Sequence, residues 1–241
     1  MISPLLSENV PTADFLAGTM LLVDKPKDWT SFDVVNKIRG TLRYKLGVKK
    51  IKVGHSGTLD PMATGLLIIC TGKWTKQLFH LEGLPKSYHG TLKLGETTPS
   101  YDAESEVDKT FPTGHITDEL LFAERDKFMG KIDQRPPMFS AIKVKGQPLY
   151  KLARKGISIE VKTREVEIKK FDLTKVEMPN VDFEVDCSKG TYIRSLAHDL
   201  GQAVNSGAHL TALRRTKIGE YSIENAFELP KLIELIKGDS D

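Results

Sequence analysis

One carboxylate, Asp60, lies in a stretch whose residue types favour a rigid loop, residues 54–65 (GHSGTLDPMATG). Glycine adopts backbone angles that other residues avoid, and proline fixes its own φ angle, so such a loop holds a side chain in one geometry. The apolar run at residues 66–70 follows directly and predicts a buried strand. A carboxylate held against a buried strand is a candidate catalytic group, although an aspartate in a glycine-rich loop can also simply cap a turn.

The elements before this loop are predicted from their apolar spacing. Residues 20–24 indicate a strand, and Ser31 is a predicted N-cap for a helix. Residues 50–53 indicate a short strand that leads into the Asp60 loop. The helix carries apolar residues at the 3.6-residue spacing of one buried face: Val34, Val35, Ile38 and Leu42.

The elements after the loop mix strands and helices without strict alternation. Residues 87–94, 165–176 and 181–187 are predicted strands, whereas the acidic residues 97–113 indicate an exposed loop. A helix is predicted from the apolar stripe Ile193, Leu196, Ala197, Leu200 and Val204. We therefore expect one α+β domain around a mixed sheet.

Composition narrows the class of protein. The chain has 241 residues, of which 39% are hydrophobic and 28% charged, as in a globular domain. No apolar run is long enough to span a membrane, and the first basic residue is Lys25, so we expect no secretory signal and a cytoplasmic location. Cys70 and Cys187 lie far apart, which favours neither a zinc site nor a disulfide framework.

The net charge of +3 understates how the charges are distributed. Residues 34–59 contain seven lysines and arginines and no acid, and residues 134–159 contain six and no acid. Arg214, Arg215 and Lys217 form a third cluster. Segregation of this kind favours nucleic-acid binding, with ordinary solvated faces as the alternative.

Several motifs follow one another along the chain. They are Lys25-Pro26 with Thr30-Ser31, the Asp60 loop, Lys86-Ser87-Tyr88, residues 135–143, residues 190–194 and residues 207–215. In this order they resemble the motifs of the TruB family of tRNA pseudouridine synthases, and the resemblance covers residues 20 to about 225.

The resemblance implies a pseudouridine-synthase-like catalytic domain on a mixed, mainly antiparallel sheet. It also implies that the chain isomerises one uridine, at position 55 in the TΨC loop of tRNA. The N1–C1′ bond breaks, the uracil rotates and a C5–C1′ bond forms. Because no atoms are gained or lost, we expect neither a cofactor nor a metal.

Three residues match the family's catalytic groups. Asp60 matches the catalytic aspartate, which either attacks C1′ or removes a C2′ proton, and the sequence leaves both routes open. Arg194 matches a residue that pairs with this aspartate through its planar guanidinium. Tyr88 matches an aromatic residue that stacks on the target base.

Other matching residues are expected to bind the RNA. Tyr192 and Leu213 match residues that line the uracil pocket. His55 matches a residue beside the space that the flipped uridine leaves. We expect the basic surface to bind phosphates and the T-arm to be recognised by its shape, with contacts from Lys25, Lys143, Lys151 and Arg215.

Two departures from the family pattern stand out. Asp28 occupies a position where the KPxGxTS element has glycine, and Trp29 follows it. Many bacterial members continue into a PUA-like RNA-binding domain, and we expect this chain to lack a full one. We divide the chain into an N-terminal extension, residues 1–19, and a catalytic domain, residues 20–241.

Three other functions remain open. A non-catalytic RNA-binding protein would use the same basic surface, but it would not need Asp60, Tyr88 and Arg194 together. A hydrolase could use Asp60, although glycosidases usually need two carboxylates. A synthase of the same family could modify a different RNA. A monomer without a protein partner is the default expectation.

Overall fold

The computed structural model describes residues 14–144 and 146–238. The helices in this part of the chain are α1 Ser31–Leu46, α2 Leu78–Glu82, α3 Asp118–Asp126, α4 Leu149–Ala153, α5 Ile193–Ala203 and α6 Leu229–Lys237. The strands are β1 Met20–Lys25, β2 Val53–His55, β3 Thr64–Thr71, β4 Lys86–Leu94, β5 Glu96–Thr97, β6 Lys109–Thr110, β7 Gly130–Gln134, β8 Lys143–Val144, β9 Gln147–Pro148, β10 Arg164–Glu177, β11 Asn180–Cys187, β12 Ala208–Ile218, β13 Tyr221–Ser222 and β14 Phe227–Glu228.

The chain forms two compact units, and the boundary between them falls within β4 and β12. The first unit comprises the described residues up to 87 and those from 214 onward. In it, β1 pairs antiparallel with β3 and parallel with β14. β3 also pairs antiparallel with β2, and parallel with β12 at Arg214 and Arg215.

Both faces of β1 and β3 are buried, which explains why residues 66–70 are continuously apolar. Leu67 and Ile69 pack in a cluster with α1 and α6, whereas Leu66 and Ile68 face a second cluster. Each fully buried leucine or isoleucine contributes about 2 kcal/mol of hydrophobic free energy. The predicted buried strand is therefore confirmed, and it anchors one end of the Asp60 loop.

The second unit comprises residues 88–213. β10 pairs antiparallel with both β11 and β7, and the strand order is β12-β4-β11-β10-β7. α5 buries the predicted apolar stripe together with Arg194 and Ser195. The α+β class and the mixed, mainly antiparallel sheet are confirmed.

Three local predictions differ from the structure. The short strand expected at residues 50–53 is β2, Val53–His55, which shares only one residue with the predicted range. Thr30, not Ser31, caps α1, because Thr30 and Asp33 form a reciprocal capping box. The acidic segment 97–113 is not uniformly exposed, because it buries Thr98, Ser100 and Asp102.

The predicted N-terminal extension lies only partly within the described residues, because residues 1–13 fall outside them. Phe15 packs in the cluster with α1, and the Thr19 N–H donates to Thr71 Oγ1 at 3.0 Å. Lys145, one of the basic residues counted above, also lies outside the described residues. Within residues 14–144 and 146–238, no helix combines the length and apolar character that a membrane span requires.

Candidate active site

Asp60 lies in the loop between β2 and β3, and the backbone on both sides of it is held by hydrogen bonds. The Leu59 N–H donates to Ser31 Oγ at 2.8 Å, and the Ser31 hydroxyl donates to the Leu59 carbonyl at 3.2 Å. On the other side, the Pro61 carbonyl accepts from the Asp28 N–H at 2.9 Å. These bonds fix the loop immediately before and after the candidate carboxylate.

Asp28 and Ser31, near the start of α1, are suited to these hydrogen bonds with the Asp60 loop. Asp28 has a φ of 66°, the left-handed conformation that glycine adopts freely and aspartate tolerates. This explains the position's preference for glycine in the motif and the tolerance of aspartate here. Thr30 caps α1, so the Ser31 hydroxyl is available to bond to the Leu59 backbone.

Lys25 is fully buried beneath the Asp60 loop, with 0% of its surface exposed. Its Nζ donates to the carbonyl oxygens of Pro26 at 3.0 Å, Trp29, and Pro61 at 3.1 Å. The expected contact between Lys25 and RNA is therefore corrected: a buried ammonium held by carbonyls positions the loop and cannot reach a phosphate.

Arg215 is likewise buried, with 1% of its surface exposed. Its Nε donates to the Leu66 carbonyl at 2.7 Å and its Nη2 to the Gly57 carbonyl at 3.1 Å. Its expected phosphate contact is corrected in the same way, because the guanidinium joins β12 to β3 and to the Asp60 loop.

His55 ends β2 and is half-buried. Its Nδ1 has no hydrogen-bond partner among the described residues. Burial, followed by the charge of Arg215, lowers the pKa of the imidazole, against a backbone contact with Gly57 that raises it. A neutral, flat ring at this position suits stacking against a nucleobase better than ion pairing.

Arg194 lies in the first turn of α5 in the second unit, with 4% of its surface exposed. Nη1 donates to the Ser100 carbonyl at 2.8 Å, and Nη2 donates to the Phe139 carbonyl at 2.9 Å. Nε lies 3.4 Å from Asp102 Oδ2. These contacts hold the guanidinium in one orientation. Its predicted pairing with Asp60 stays a prediction.

Asp102 is a functional candidate that the sequence analysis missed. It is buried, and its carboxylate accepts from the Ser100 hydroxyl and from the Glu104 N–H, the latter at 3.1 Å. Its position in an acidic segment favoured an exposed loop. The available signal was the preceding run of short hydroxyl residues, which bond to nearby backbone groups, as Thr98 does to the Asp102 carbonyl at 2.6 Å.

Tyr192 precedes α5 and is half-buried. Gln134 bonds to its backbone twice: the Tyr192 N–H donates to Oε1 at 2.8 Å and Nε2 donates to the Tyr192 carbonyl at 3.0 Å. The Arg164 guanidinium lies 4.5 Å from the centre of the Tyr192 ring, within cation–π range. The ring is thus positioned by the backbone and covered by a cation on one face.

The remaining predicted residues of the second unit divide by exposure. Tyr88 in β4 and Leu213 in β12 are both buried. Lys143 in β8 and Lys151 in α4 are exposed, as a phosphate contact requires. Their roles stay predictions.

Two family models match consecutive parts of the chain. Residues 43–193 match the TruB family pseudouridylate synthase (N terminal domain), which is more than half of the 241 residues. The chain belongs to the TruB family. Residues 194–240 match the tRNA pseudouridylate synthase B C-terminal domain.

Proteins named tRNA pseudouridine synthase B are similar to this chain over nearly their whole length. The tRNA pseudouridine synthase B of Flavobacterium johnsoniae is 55% identical over 217 residues, which cover 90% of this chain and 95% of that protein. The protein of the same name from Phocaeicola vulgatus is 52% identical over 221 residues, or 92% of this chain and 94% of that one. The TruB resemblance inferred from the motifs is confirmed.

Solved structures agree with this TruB assignment. A chain in "Crystal Structure of a Cbf5-Nop10-Gar1 Complex" is 28% identical, with a TM-score of 0.67 over 91% of this chain and 54% of that one. A chain in "Structure of H/ACA RNP bound to a substrate RNA containing 2'-deoxyuridine" is 26% identical, with a TM-score of 0.66 over 91% of this chain and 53% of that one.

Proposed function

We propose that this chain isomerises uridine to pseudouridine at position 55 in the T-arm of tRNA, with Asp60 as the catalytic carboxylate. The observation that carries the proposal is the Asp60 loop, in which Ser31 and Lys25 fix the backbone next to the carboxylate within a TruB-family chain. Fixing a reacting group before the substrate arrives lowers the entropy cost of reaching the transition state.

The reaction moves one bond and one proton. Ionised Asp60 acts on the ribose, by attack at C1′ or by removal of the C2′ proton, and the N1–C1′ bond breaks. The uracil rotates and C5 bonds to C1′, which either displaces Asp60 from C1′ or is accompanied by return of the proton to C2′. The C5 proton then leaves while N1 gains one. The product is an isomer of the substrate, so this chemistry needs neither a cofactor nor a metal.

The other residues bind and orient the uridine. Arg194 pairs with Asp60 and orients it, since a guanidinium offers a carboxylate two parallel donors. Tyr88 stacks on the base, and Tyr192 and Leu213 line its pocket. His55 fills the space from which the base is flipped, a movement that costs a few kcal/mol of lost stacking.

The RNA is bound through its phosphates and its folded shape. Exposed cations such as Lys143 and Lys151 contact the backbone, which gives affinity without sequence information. We further propose that a monomer acts on tRNA in the cytoplasm and that residues 20–241 carry the activity.

The reaction is tested with a tRNA transcript that carries tritium at C5 of its uridines. Pseudouridine formation releases that tritium to water, so wild-type protein is expected to release one equivalent per tRNA. Position-resolved carbodiimide labelling with primer extension then locates the modified position.

The hydrolase and the non-catalytic RNA-binding protein would each give a different result with this labelled tRNA. Free uracil or strand cleavage would indicate a hydrolase. Tight, salt-sensitive binding of tRNA without tritium release would indicate a non-catalytic RNA-binding protein. Either outcome would overturn the proposed function.

A further inference from the structure

One face of α5 presents two side chains to the same turn, residues 98–102. Arg194 and His198 are four residues apart, so they lie one above the other on the helix. Arg194 bonds to the Ser100 carbonyl and lies beside the Asp102 carboxylate. His198 stacks on Tyr101, with ring centroids 3.8 Å apart and planes 11° from parallel. Tyr101 lies between Ser100 and Asp102 in the chain, and it therefore contacts the same helix as they do.

The backbone at Tyr101 needs such support. Its φ is 64°, in the left-handed region that bulky non-glycine residues rarely adopt. Conformations of this kind persist only where the surrounding contacts hold them. The Tyr101 N–H donates to the Thr98 carbonyl at 3.1 Å, and the Tyr101 carbonyl accepts from the Leu210 N–H at 3.0 Å. The stacked ring adds a contact with α5 to these two backbone bonds.

We propose that Tyr101 and His198 are positioning residues, whose stacked rings hold residues 98–102 so that Ser100 and Asp102 fix the guanidinium of Arg194. This inference rests on the proposed function, because it assigns Arg194 a part in the reaction. It extends that function to two residues that do not themselves touch the substrate.

The charge states of the two rings fit this role. Burial lowers the pKa of His198, opposed by the charge of Asp108, and burial raises the pKa of Tyr101. Both rings are therefore neutral near pH 7. A protonated His198 would place a second positive charge one helical turn from Arg194, where like charges repel.

The test distinguishes the effect of the Tyr101 ring from the effect of the backbone conformation at residues 98–102. Asparagine tolerates the left-handed conformation, so Tyr101→Asn removes the ring while leaving the backbone angle accessible. Tyr101→Phe keeps the stack and serves as the matched control. His198→Leu removes the other ring and provides a second variant if Tyr101→Asn folds poorly, with His198→Phe as its control.

Three quantities are measured for each variant: the single-turnover rate of tritium release, the Kd for tRNA, and the urea midpoint of unfolding. We expect Tyr101→Asn and His198→Leu to lower the rate by about tenfold or more, because small displacements of a catalytic group are costly. The Kd should change by less than about twofold, and both phenylalanine variants should recover the rate.

A second comparison uses Asp102→Asn as the background. If the stack acts through the Arg194 contacts, adding Tyr101→Asn to that background lowers the rate by much less than it does in wild type. Equal losses in the two backgrounds would overturn the inference, as would a lowered midpoint with a wild-type rate. Wild-type protein that releases no tritium would instead overturn the proposed function, and this inference with it.

Discussion

At the scale of single residues, three buried cations among the predicted site residues lie against backbone carbonyl oxygens. Lys25, Arg194 and Arg215 each donate to at least two carbonyls, and each is almost fully buried. An unpaired buried charge is strongly unfavourable, so these contacts fix both the cation and the loop that supplies the oxygens. The contacts therefore hold the backbone segments that supply these oxygens in place.

Asp102 provides a test of this role, because it lies beside Arg194 with 1% of its surface exposed. Asp102→Ala should lower the free energy of unfolding by about 3 kcal/mol or more, since it removes a carboxylate 3.4 Å from the buried Arg194 guanidinium and leaves the Ser100 hydroxyl and the Glu104 N–H without this acceptor. Urea unfolding measures the change. The matched control is Glu165→Ala, which removes a solvent-exposed ion pair with Lys131 and should leave stability unchanged. Equal effects of the two variants would contradict the account.

At the scale of elements, two backbone segments of the first unit approach each other closely where β3 leaves the Asp60 loop. Gly65 is paired with Lys25 of β1 and Arg215 of β12 and has a φ of 104°. A Cβ at this position would lie 2.3 Å from the Arg215 carbonyl oxygen. Only glycine allows β12 to approach the end of this loop so closely.

Gly65→Ala should therefore destabilise the protein by about 3 kcal/mol or more, through backbone strain and the clash with β12. Gly47→Ala is the control, because Gly47 also has a positive φ, 64°, but a Cβ there meets nothing within 4 Å. It should cost only about 1 kcal/mol. Thermal or urea unfolding of both variants makes the comparison, and a Gly65→Ala cost no larger than that of Gly47→Ala would exclude the clash.

Helix α5 carries a titratable group whose effect on stability has a definite sign. Burial raises the pKa of Asp199 to about 6, against the opposing charge of Arg135. The native state therefore holds this proton more tightly than the unfolded state, and stability falls as pH rises from about 4 to about 6, by up to about 3 kcal/mol. Asp199→Asn should gain stability relative to wild type across that window. Parallel stability–pH curves for the two proteins would contradict this.

Elements with strong periodicity were predictable from sequence, but the roles of individual polar residues were not. β3 and α5 formed where their apolar spacing predicted them. Lys25 and Arg215 were expected on the RNA surface. Their burial could not be predicted, because it depends on carbonyl oxygens that distant segments supply. Asp102 was missed for the same reason, since its partner Arg194 lies 92 residues further along the chain.

At the scale of the whole molecule, acids and bases are segregated along the chain. Residues 34–81 contain nine lysines and arginines, and Asp60 is the only acid among them. A run with one acid among many cations favours contact with a phosphate backbone.

The salt dependence of tRNA binding separates exposed from buried cations. Each phosphate contact adds to the slope of log Kd against log salt concentration, so Lys151→Ala, at an exposed position, should reduce that slope by about one. Lys25→Met should leave the slope unchanged and lower the rate of turnover, because Lys25 holds the Asp60 loop. A reduced slope for Lys25→Met would show that Lys25 contacts RNA after all.

The most direct test of the central claim is position-resolved carbodiimide labelling with primer extension on an unmodified tRNA transcript. Wild-type protein is compared with Asp60→Ala, which should still bind tRNA because the basic surface is unchanged. We expect a new stop at position 55 with wild type and none with Asp60→Ala. A stop of equal strength with the variant, or the absence of a stop at position 55 with wild type, would contradict it.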